Sequence, residues 1–218
     1  MAAAPLESQD PGCADSAACE AVTHGRAMPA EGTRTEITRT EGARRGDTRL
    51  EEITPSTPTA TLEAARQLLL EYGQFVMAQP GAGRFCFGTL REEAEGLPLS
   101  FIRQGGGSLL ALVRGEPAGF VAWRILSAPS AAPGFSSDSW ELKRLWVRPS
   151  ARGFALGRLL TQAVLDRARA AGRKAIYLDT APQSMAAAHR LYLDMGFAPC
   201  AAYNDNPVEG LVWMVKFL

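Results

Sequence analysis

The sequence predicts an α/β domain in which helices pack around one sheet. From residue 49 onward, short runs rich in β-branched and aromatic residues alternate with segments whose apolar residues recur at helical spacing. Two of these runs, 108–113 and 118–126, flank a short turn, as in a β-hairpin. Later strands alternate with helical segments, which is typical of α/β proteins. Hydrophobic residues make up 46% of the 218 residues, which is ordinary for a chain with a packed core.

Residues 1–47 are predicted to form a disordered tail, and residues 48–218 the folded domain. The first segment is dominated by Ala, Gly, Glu, Thr and Arg and has almost no large apolar side chains. Such a segment cannot bury enough surface to offset its conformational entropy. A regulatory arm is the alternative interpretation, and only the presence of the segment supports it.

The first half of the domain is predicted to contain a strand, two helices and a hairpin. The strand covers 49–54, and Thr57 then acts as the N-cap of a helix that has Pro58 in its first position and ends near residue 80. A capping box, Thr89 followed by Glu92, predicts the start of a short helix that stops at 96–98. The hairpin strands 108–113 and 118–126 follow, joined by 114–117.

The second half is predicted to alternate strands and helices after a loop at 127–138. A strand covers 140–147, and the longest amphipathic helix begins near Leu156 and ends at Gly172. The segments that follow are a strand at 174–178, a helix at 184–195, and two strands at 197–203 and 211–217.

The loop Arg152–Arg158 is a candidate phosphate site. It joins a strand to the long helix, and its small residues allow a ligand to approach the backbone. The unpaired N–H groups and partial positive charge of a helix N-terminus suit a pyrophosphate, and two arginines can add charge-assisted contacts. Simple turn chemistry remains the alternative. The loop lacks the Gly-Lys-Ser/Thr ending of a Walker motif and does not match the dinucleotide fingerprint.

Several motifs in order resemble the GNAT acetyltransferase superfamily. Arg152, Ala155 and Gly157 are similar to its acyl-CoA motif Arg/Gln-x-x-Gly-x-Gly/Ala, with alanine in place of the commoner first glycine. The segment Glu141–Pro149 is similar to its fourth strand, and Ala188–Phe197 to its ending A-x-x-L-Y-x-x-x-G-F. The resemblance covers about three quarters of the chain and is greatest to bacterial members of unassigned substrate that carry E-L-K-R-L-x-V, L-D-T and Y-x-x-N-P.

This resemblance implies the GNAT fold, a mixed, mostly antiparallel sheet whose strands splay around an acyl-CoA cleft. It also implies acetyl-CoA as the acyl-donor co-substrate, with the pantetheine arm pairing along the fourth strand and a strand N–H bonding the thioester oxygen. The implied cofactor-binding residues are Leu145, Trp146, Val147, Arg152, Gly153, Phe154, Ala155, Leu156, Gly157 and Arg158.

Two residues are candidates for catalysis. Glu141 stands where the family often places a carboxylate, and a base is useful because an alkylamine is mostly protonated at neutral pH. Its alternative role is a salt bridge with a neighbouring Lys or Arg. Tyr192 matches the tyrosine that protonates the departing sulfur in many members, and its ordinary pKa of about 10 suits a thiol leaving group. Packing of the last helix on the sheet is the alternative.

Four polar residues are candidates for the acceptor pocket. Asp179 follows a strand, where ligands of α/β proteins bind, but it can equally cap the turn after it. Tyr203, Asn204 and Asn206 belong to a polar loop that can line the pocket or simply form a turn. The acceptor is expected to be a small-molecule amine or a peptide or protein amine. A degenerate acyl-CoA-binding sensor or interaction module is the alternative to an enzyme.

Charge and cysteine content limit the kinds of partner and site that the sequence predicts. Lys plus Arg and Asp plus Glu each number 23, so the formal net charge is zero. We therefore expect no attraction of the whole domain to nucleic acid or to an anionic membrane. No apolar run reaches the length of a membrane span, and the N-terminal residues do not resemble a signal or transit peptide. The four cysteines form no CxxC pair, so we expect no metal site. A cytoplasmic location and a possible homodimer are the default expectations.

Overall fold

A computed structural model describes residues 47–79, 87–126, 138–206 and 208–218. The predicted tail, apart from Asp47, and the loop 127–137 lie outside these residues. The strands are β1 (Thr48–Glu52), β2 (Gly107–Val113), β3 (Glu116–Ile125), β4 (Trp140–Val147), β5 (Ala175–Thr180), β6 (Ala198–Cys200) and β7 (Val212–Phe217). The helices are α1 (Thr59–Met77), α2 (Phe87–Glu95), α3 (Leu99–Ile102), α4 (Leu156–Ala170) and α5 (Ala186–Asp194).

The strands form one sheet in the order β1-β2-β3-β4-β5-β7-β6. Every neighbouring pair is antiparallel except β4 and β5, which are parallel. This confirms the prediction of a mixed, mostly antiparallel sheet flanked by helices. Within the described residues no helix is both long and apolar enough to cross a bilayer.

The sheet opens in its middle, between β4 and β5. These strands pair only at Trp140 with Ile176 and at Glu141 with Tyr177. β5 continues to pair with β7 along its whole length, so β4 diverges from the other half of the sheet after Glu141. The result is a cleft whose two walls are the edges of two strands.

A bulge in β4 lies next to this opening. Phe120 pairs with Trp146 and Ala122 with Lys143, so Arg144 and Leu145 together oppose a single residue of β3. Arg144 has φ 60°, a left-handed value that is uncommon outside glycine. Bulges bend a strand and redirect its side chains. This bulge changes the direction of the central side chains of β4 next to the cleft.

Helices cover both faces of the sheet, which explains why every residue of β2 is buried. Leu109 and Val113 of β2 belong to the core cluster that includes Leu160 and Val164 of α4. Leu110 and Leu112 belong to a second cluster with α1, α2 and α3. The alternation follows the two-residue period of a strand.

The approach of α3 to the sheet requires a glycine. An added Cβ at Gly106 would lie 1.8 Å from the carbonyl oxygen of Trp123. The hairpin between β2 and β3 turns on Arg114 and Gly115 alone, with φ values of 54° and 82°. Two successive positive φ values are the mark of a type I′ turn, so the connection is shorter than the predicted segment 114–117.

The helix starts differ from the predictions. α1 begins at Thr59 with Pro58 as its N-cap, and the Thr57 hydroxyl instead accepts the N–H of Thr54 at 2.8 Å. The capping-box prediction was wrong, because α2 begins at Phe87 and Thr89 therefore lies inside the helix. A threonine and a glutamate three residues apart are as compatible with an exposed helix surface as with a helix start. The strand predicted at 197–203 is confined to β6.

Candidate active site

The loop before α4 presents an uncapped helix N-terminus. Its N-cap residue, Ala155, has φ 54° and ψ 24°, and no side chain caps the helix. The first N–H groups of a helix have no intrahelical acceptor, so those of Leu156 and Gly157 are available to a ligand. Left-handed backbone costs an alanine about 1 kcal/mol, whereas glycine adopts it freely, which explains the glycine commonly found at this motif position.

This N-terminus opens into a cavity that we call the loop cavity. It has a volume of about 260 Å³ and lies between the end of β4, the loop 152–157 and α5. Its lining residues are Tyr72, Phe75, Leu145, Trp146, Val147, Arg152, Gly153, Ala155, Leu156, Gly157, Met185, Ala187, Ala188 and Leu191. The lining is mostly apolar, with the helix N-terminus and Arg152 at one end. This composition suits an extended chain that carries a phosphate group.

Eight of the ten predicted cofactor-binding residues line the loop cavity. The other two, Phe154 and Arg158, line an adjacent depression together with Thr48, Leu159, Gln162 and Ala155, the last of which also lines the loop cavity. The Arg158 guanidinium lies 3.7 Å from Asp194, and about half of its side chain is exposed. Both arginines of the motif therefore flank the start of α4, but from different cavities.

A second cavity, which we call the cleft cavity, occupies the opening between β4 and β5. Its volume is about 90 Å³. Its walls carry Lys143 and Arg144 of β4, Asp179 of β5 and Tyr192 of α5, among apolar residues. The two cavities share four lining residues, which are Tyr72, Leu145, Met185 and Ala188. The loop cavity and the cleft cavity therefore meet at one junction.

Tyr192 lines the cleft cavity, one turn of α5 after Ala188, which lines both cavities. Its side chain is 5% exposed and packs edge-on against Phe197, with ring centroids 5.6 Å apart. Burial raises the pKa of the Tyr192 phenol well above 10, with smaller contributions from Tyr72 and Asp179. The phenol therefore stays protonated at neutral pH. The packing that the sequence suggests as an alternative is present, and the proton-donor role stays a prediction.

Glu141 is the centre of a buried hydrogen-bond network. Its side chain is 1% exposed and receives Arg124 Nε at 2.6 Å and Lys143 Nζ at 3.1 Å. The Tyr203 hydroxyl donates to it at 3.1 Å, and Asn204 Nδ2 approaches at 3.4 Å. Glu141 is not among the described residues that line the loop cavity or the cleft cavity. The salt bridges anticipated as its alternative role are present, and its role as a base stays a prediction.

Asp179 is held in place from one side. Asn204 and Asn206 donate their side-chain amides to its Oδ2 at 3.1 and 3.2 Å, and Lys143 Nζ lies 4.0 Å from the same oxygen. Burial alone would raise the pKa of Asp179, but Lys143 and the two amides more than offset it and hold the pKa below its ordinary value. The carboxylate is therefore ionised at neutral pH and faces the cleft.

The polar loop after β6 mainly holds other residues of the site in place through hydrogen bonds, and only one of its predicted residues lines the cleft cavity. Among its three predicted pocket residues, only Asn206 lines the cleft cavity. Asn204 links the two carboxylates and accepts Trp213 Nε1 at 2.9 Å through its own Oδ1. Tyr203 is 3% exposed, and burial, followed by the nearby carboxylates, raises the pKa of its phenol.

Three residues of the cleft were not predicted from the sequence. Lys143 and Arg144 were assigned only to a strand, and Tyr72 only to the apolar face of α1. Arg144 forms a two-point ion pair with Glu93 at 2.8 and 3.1 Å, and its guanidinium lies over the Tyr72 ring. The signal that could have found them is the pair of cations that directly follows Glu141 in β4. No group of His, Cys, Asp or Glu in the described parts of the chain is arranged to hold a metal ion.

Comparisons with known proteins agree with this geometry. The model of the acetyltransferase (GNAT) family matches residues 69–197, more than half of the chain. An uncharacterized N-acetyltransferase of Schizosaccharomyces pombe is 38% identical over 74 residues, 34% of this chain and 45% of its own. The IAA acetyltransferase of Azospirillum brasilense is 41% identical over 72 residues, 32% of this chain and 46% of its own. The chain thus spans about half the length of these curated relatives.

Solved structures share the fold at low sequence identity. The PaiA N-acetyltransferase of Thermoplasma acidophilum, in complex with coenzyme A, has a TM-score of 0.58 and 17% identity over 78% of this chain and 99% of its own. The yncA protein of Salmonella typhimurium, solved with its cofactor acetyl-CoA, has a TM-score of 0.55 and 20% identity over 79% of this chain and 94% of its own.

Proposed function

Because the chain belongs to the GNAT acetyltransferase family, whose acyl donor is acetyl-CoA, we propose that it transfers an acetyl group directly from acetyl-CoA to an amine. The observation that carries this proposal is the junction of the two cavities. A helix N-terminus and an apolar channel lie on one side, and a charged cleft lies on the other. Direct transfer requires donor and acceptor to meet at one point, and this junction provides it.

The residues of the loop cavity suit the donor in two ways. The first-turn N–H groups of α4 and the Arg152 guanidinium supply donors for a pyrophosphate. β4 has no strand neighbour on the β5 side beyond Glu141, so its backbone groups from Leu145 to Val147 can pair with an extended ligand. A strand N–H in this segment can also polarise the thioester oxygen.

Tyr192 is the proposed proton donor. An ammonium acceptor first loses one proton to solvent, and its nitrogen then bonds to the acyl carbon as the carbon–sulfur bond breaks. The Tyr192 hydroxyl supplies a proton to the departing sulfur, and the second proton from nitrogen restores the phenol. The products are the acetylated amine, the free thiol and one released proton. Burial raises the pKa of the phenol, which keeps it protonated before the reaction but makes it a weaker acid than an exposed tyrosine.

Calorimetry with acetyl-CoA tests the donor half of the proposal, using ATP and NADH as controls. Binding of acetyl-CoA alone is expected, followed by release of free CoA when a panel of amines is added. Binding without CoA release from any amine would support the alternative, an acyl-CoA sensor or interaction module. Absence of binding would remove the loop cavity from the site and would contradict the proposal as a whole.

A further inference from the structure

The cleft cavity is lined by Asp179, whose carboxylate has one oxygen that accepts no hydrogen bond from the described residues. All of the contacts that Asp179 receives, from Asn204, Asn206 and Lys143, go to Oδ2. Oδ1 accepts no hydrogen bond from the residues that the structure describes. A carboxylate oxygen has two acceptor positions, so Oδ1 can receive N–H donors from a molecule in the cleft.

Lys143 presents the complementary group beside it. Its ammonium makes one hydrogen bond, to Glu141 at 3.1 Å, and lies 4.0 Å from Asp179 Oδ2. An ammonium group has three N–H donors, so two remain without an acceptor among the described residues. The Lys143 side chain is 13% exposed and lines the cleft cavity. A cation and an anion with spare hydrogen-bonding capacity therefore stand about one ion-pair distance apart.

We propose that the acceptor is an amine with a carboxylate on the adjacent carbon, as in a free α-amino acid. Its ammonium contacts Asp179 Oδ1, and its carboxylate contacts Lys143. The ammonium nitrogen and the carboxylate oxygens of an α-amino acid are three bonds apart, and Lys143 Nζ lies 4.0 Å from the Asp179 carboxylate, so one such molecule can reach both groups. This inference rests on the proposed function, because it names the acceptor class of the same site.

The same walls disfavour other amines. Asp179 is the one carboxylate among the described residues that line the cleft, so the second cation of a polyamine or an aminoglycoside would have no anionic partner there. The N-terminus of a peptide carries an amide in place of the carboxylate and so offers no anion to the remaining N–H groups of Lys143. Val76, Leu142, Val208 and Leu211 form the apolar part of the cavity, which indicates an amino acid with an apolar side chain.

The test compares three forms of one side chain. L-leucine, L-leucinamide and 3-methylbutylamine have the same apolar group and differ in the carboxylate, and the phenylalanine series gives a second set. CoA release with acetyl-CoA is followed for each compound at neutral pH. We expect kcat/KM for the amino acid to exceed that of the other two by about tenfold or more, as a charge-assisted hydrogen bond supplies.

Substitutions test whether Lys143 causes the preference for an acceptor with a carboxylate. Lys143→Met is expected to lower the ratio of kcat/KM for leucine to that for 3-methylbutylamine about tenfold or more, while Lys143→Arg retains the preference. Asp179→Asn is expected to raise KM for all three compounds without changing the affinity for acetyl-CoA. Lys216→Met on β7 and Asp205→Asn on the exposed loop are the matched controls.

The outcomes separate this inference from the proposed function. Acetylation of the amide or the plain amine as efficiently as the amino acid would overturn the inference and leave the proposed function standing. Retention of the carboxylate preference in Lys143→Met would likewise overturn the assignment. If no compound of either series is acetylated although acetyl-CoA binds, the acceptor class fails, and the proposed function fails with it only if the wider panel of amines also releases no CoA.

Discussion

Replacing Gly157 by aspartate tests the donor site with little disturbance of the fold. Gly157 lies in the first turn of α4 and lines the loop cavity. A Cβ added there would lie 3.1 Å from Leu191 Cδ2, the movable end of a side chain. The new carboxylate would also stand at a helix N-terminus, where a negative charge is favourable by about 0.3–1 kcal/mol. We therefore expect no loss of stability from its charge.

The effect on donor binding is expected to be large. A pyrophosphate bound at these N–H groups would lie about 6 Å from the new carboxylate, which at an effective dielectric constant of about 20 gives a repulsion of about 3 kcal/mol. Screening by salt reduces this to about 2 kcal/mol, which corresponds to a roughly 30-fold increase in Kd. Gly157→Asn has the same size and no charge, so the difference between the two variants isolates the electrostatic contribution.

Calorimetry with acetyl-CoA measures both variants, and thermal unfolding monitors the fold. The expected order of affinity is wild type, then Gly157→Asn, then Gly157→Asp, with similar melting temperatures. Equal affinities of the asparagine and aspartate variants would refute the reasoning, because they would show that no phosphate lies near the start of α4.

Three further predictions follow from particular contacts. Tyr192→Phe should lower kcat by more than it weakens acetyl-CoA binding, and an equal loss of both would indicate packing alone. In urea unfolding, the difference in the free energy of unfolding between wild type and Asp179→Asn should shrink as the pH falls below 3.8, the ordinary pKa of the carboxyl. The reason is that a lowered folded pKa contributes stability only while the group is ionised. A constant difference from pH 7 to pH 2.5 would contradict this. Gly106→Ala should destabilise the fold by about 2 kcal/mol or more, read as a lower melting temperature, whereas Gly157→Ala should cost far less, since its neighbour can move.

The sequence predicted the elements with strong internal periodicity. β4 and the start of α4 match their predicted positions, because a long amphipathic helix and a strand closed by proline are local signals. Helix starts were less certain, since Thr57 and Thr89 resemble caps without acting as caps. A short polar side chain offers several local hydrogen bonds, and tertiary packing decides which one forms.

The site was only partly predictable for a related reason. The cofactor loop is contiguous in the sequence, so a motif could reveal it. The cleft is assembled from β4, β5, α1 and α5, and its opening depends on where two strands stop pairing, which no local pattern encodes. Lys143 gains its role from Asp179, 36 positions away in the chain, and Glu141 from residues of a distant loop.

The opening between β4 and β5 also bears on what can pair with the two strand edges that it exposes. An unpaired strand edge is normally a template for a foreign strand and hence for aggregation. Here two such edges face each other in the interior of the sheet, flanked by side chains of α1 and α5 rather than presented at its rim. A thin, flexible ligand arm can enter this space, whereas a polypeptide with neighbouring strands of its own cannot. The opening thus keeps backbone groups of β4 available to a ligand while shielding them from pairing with another sheet.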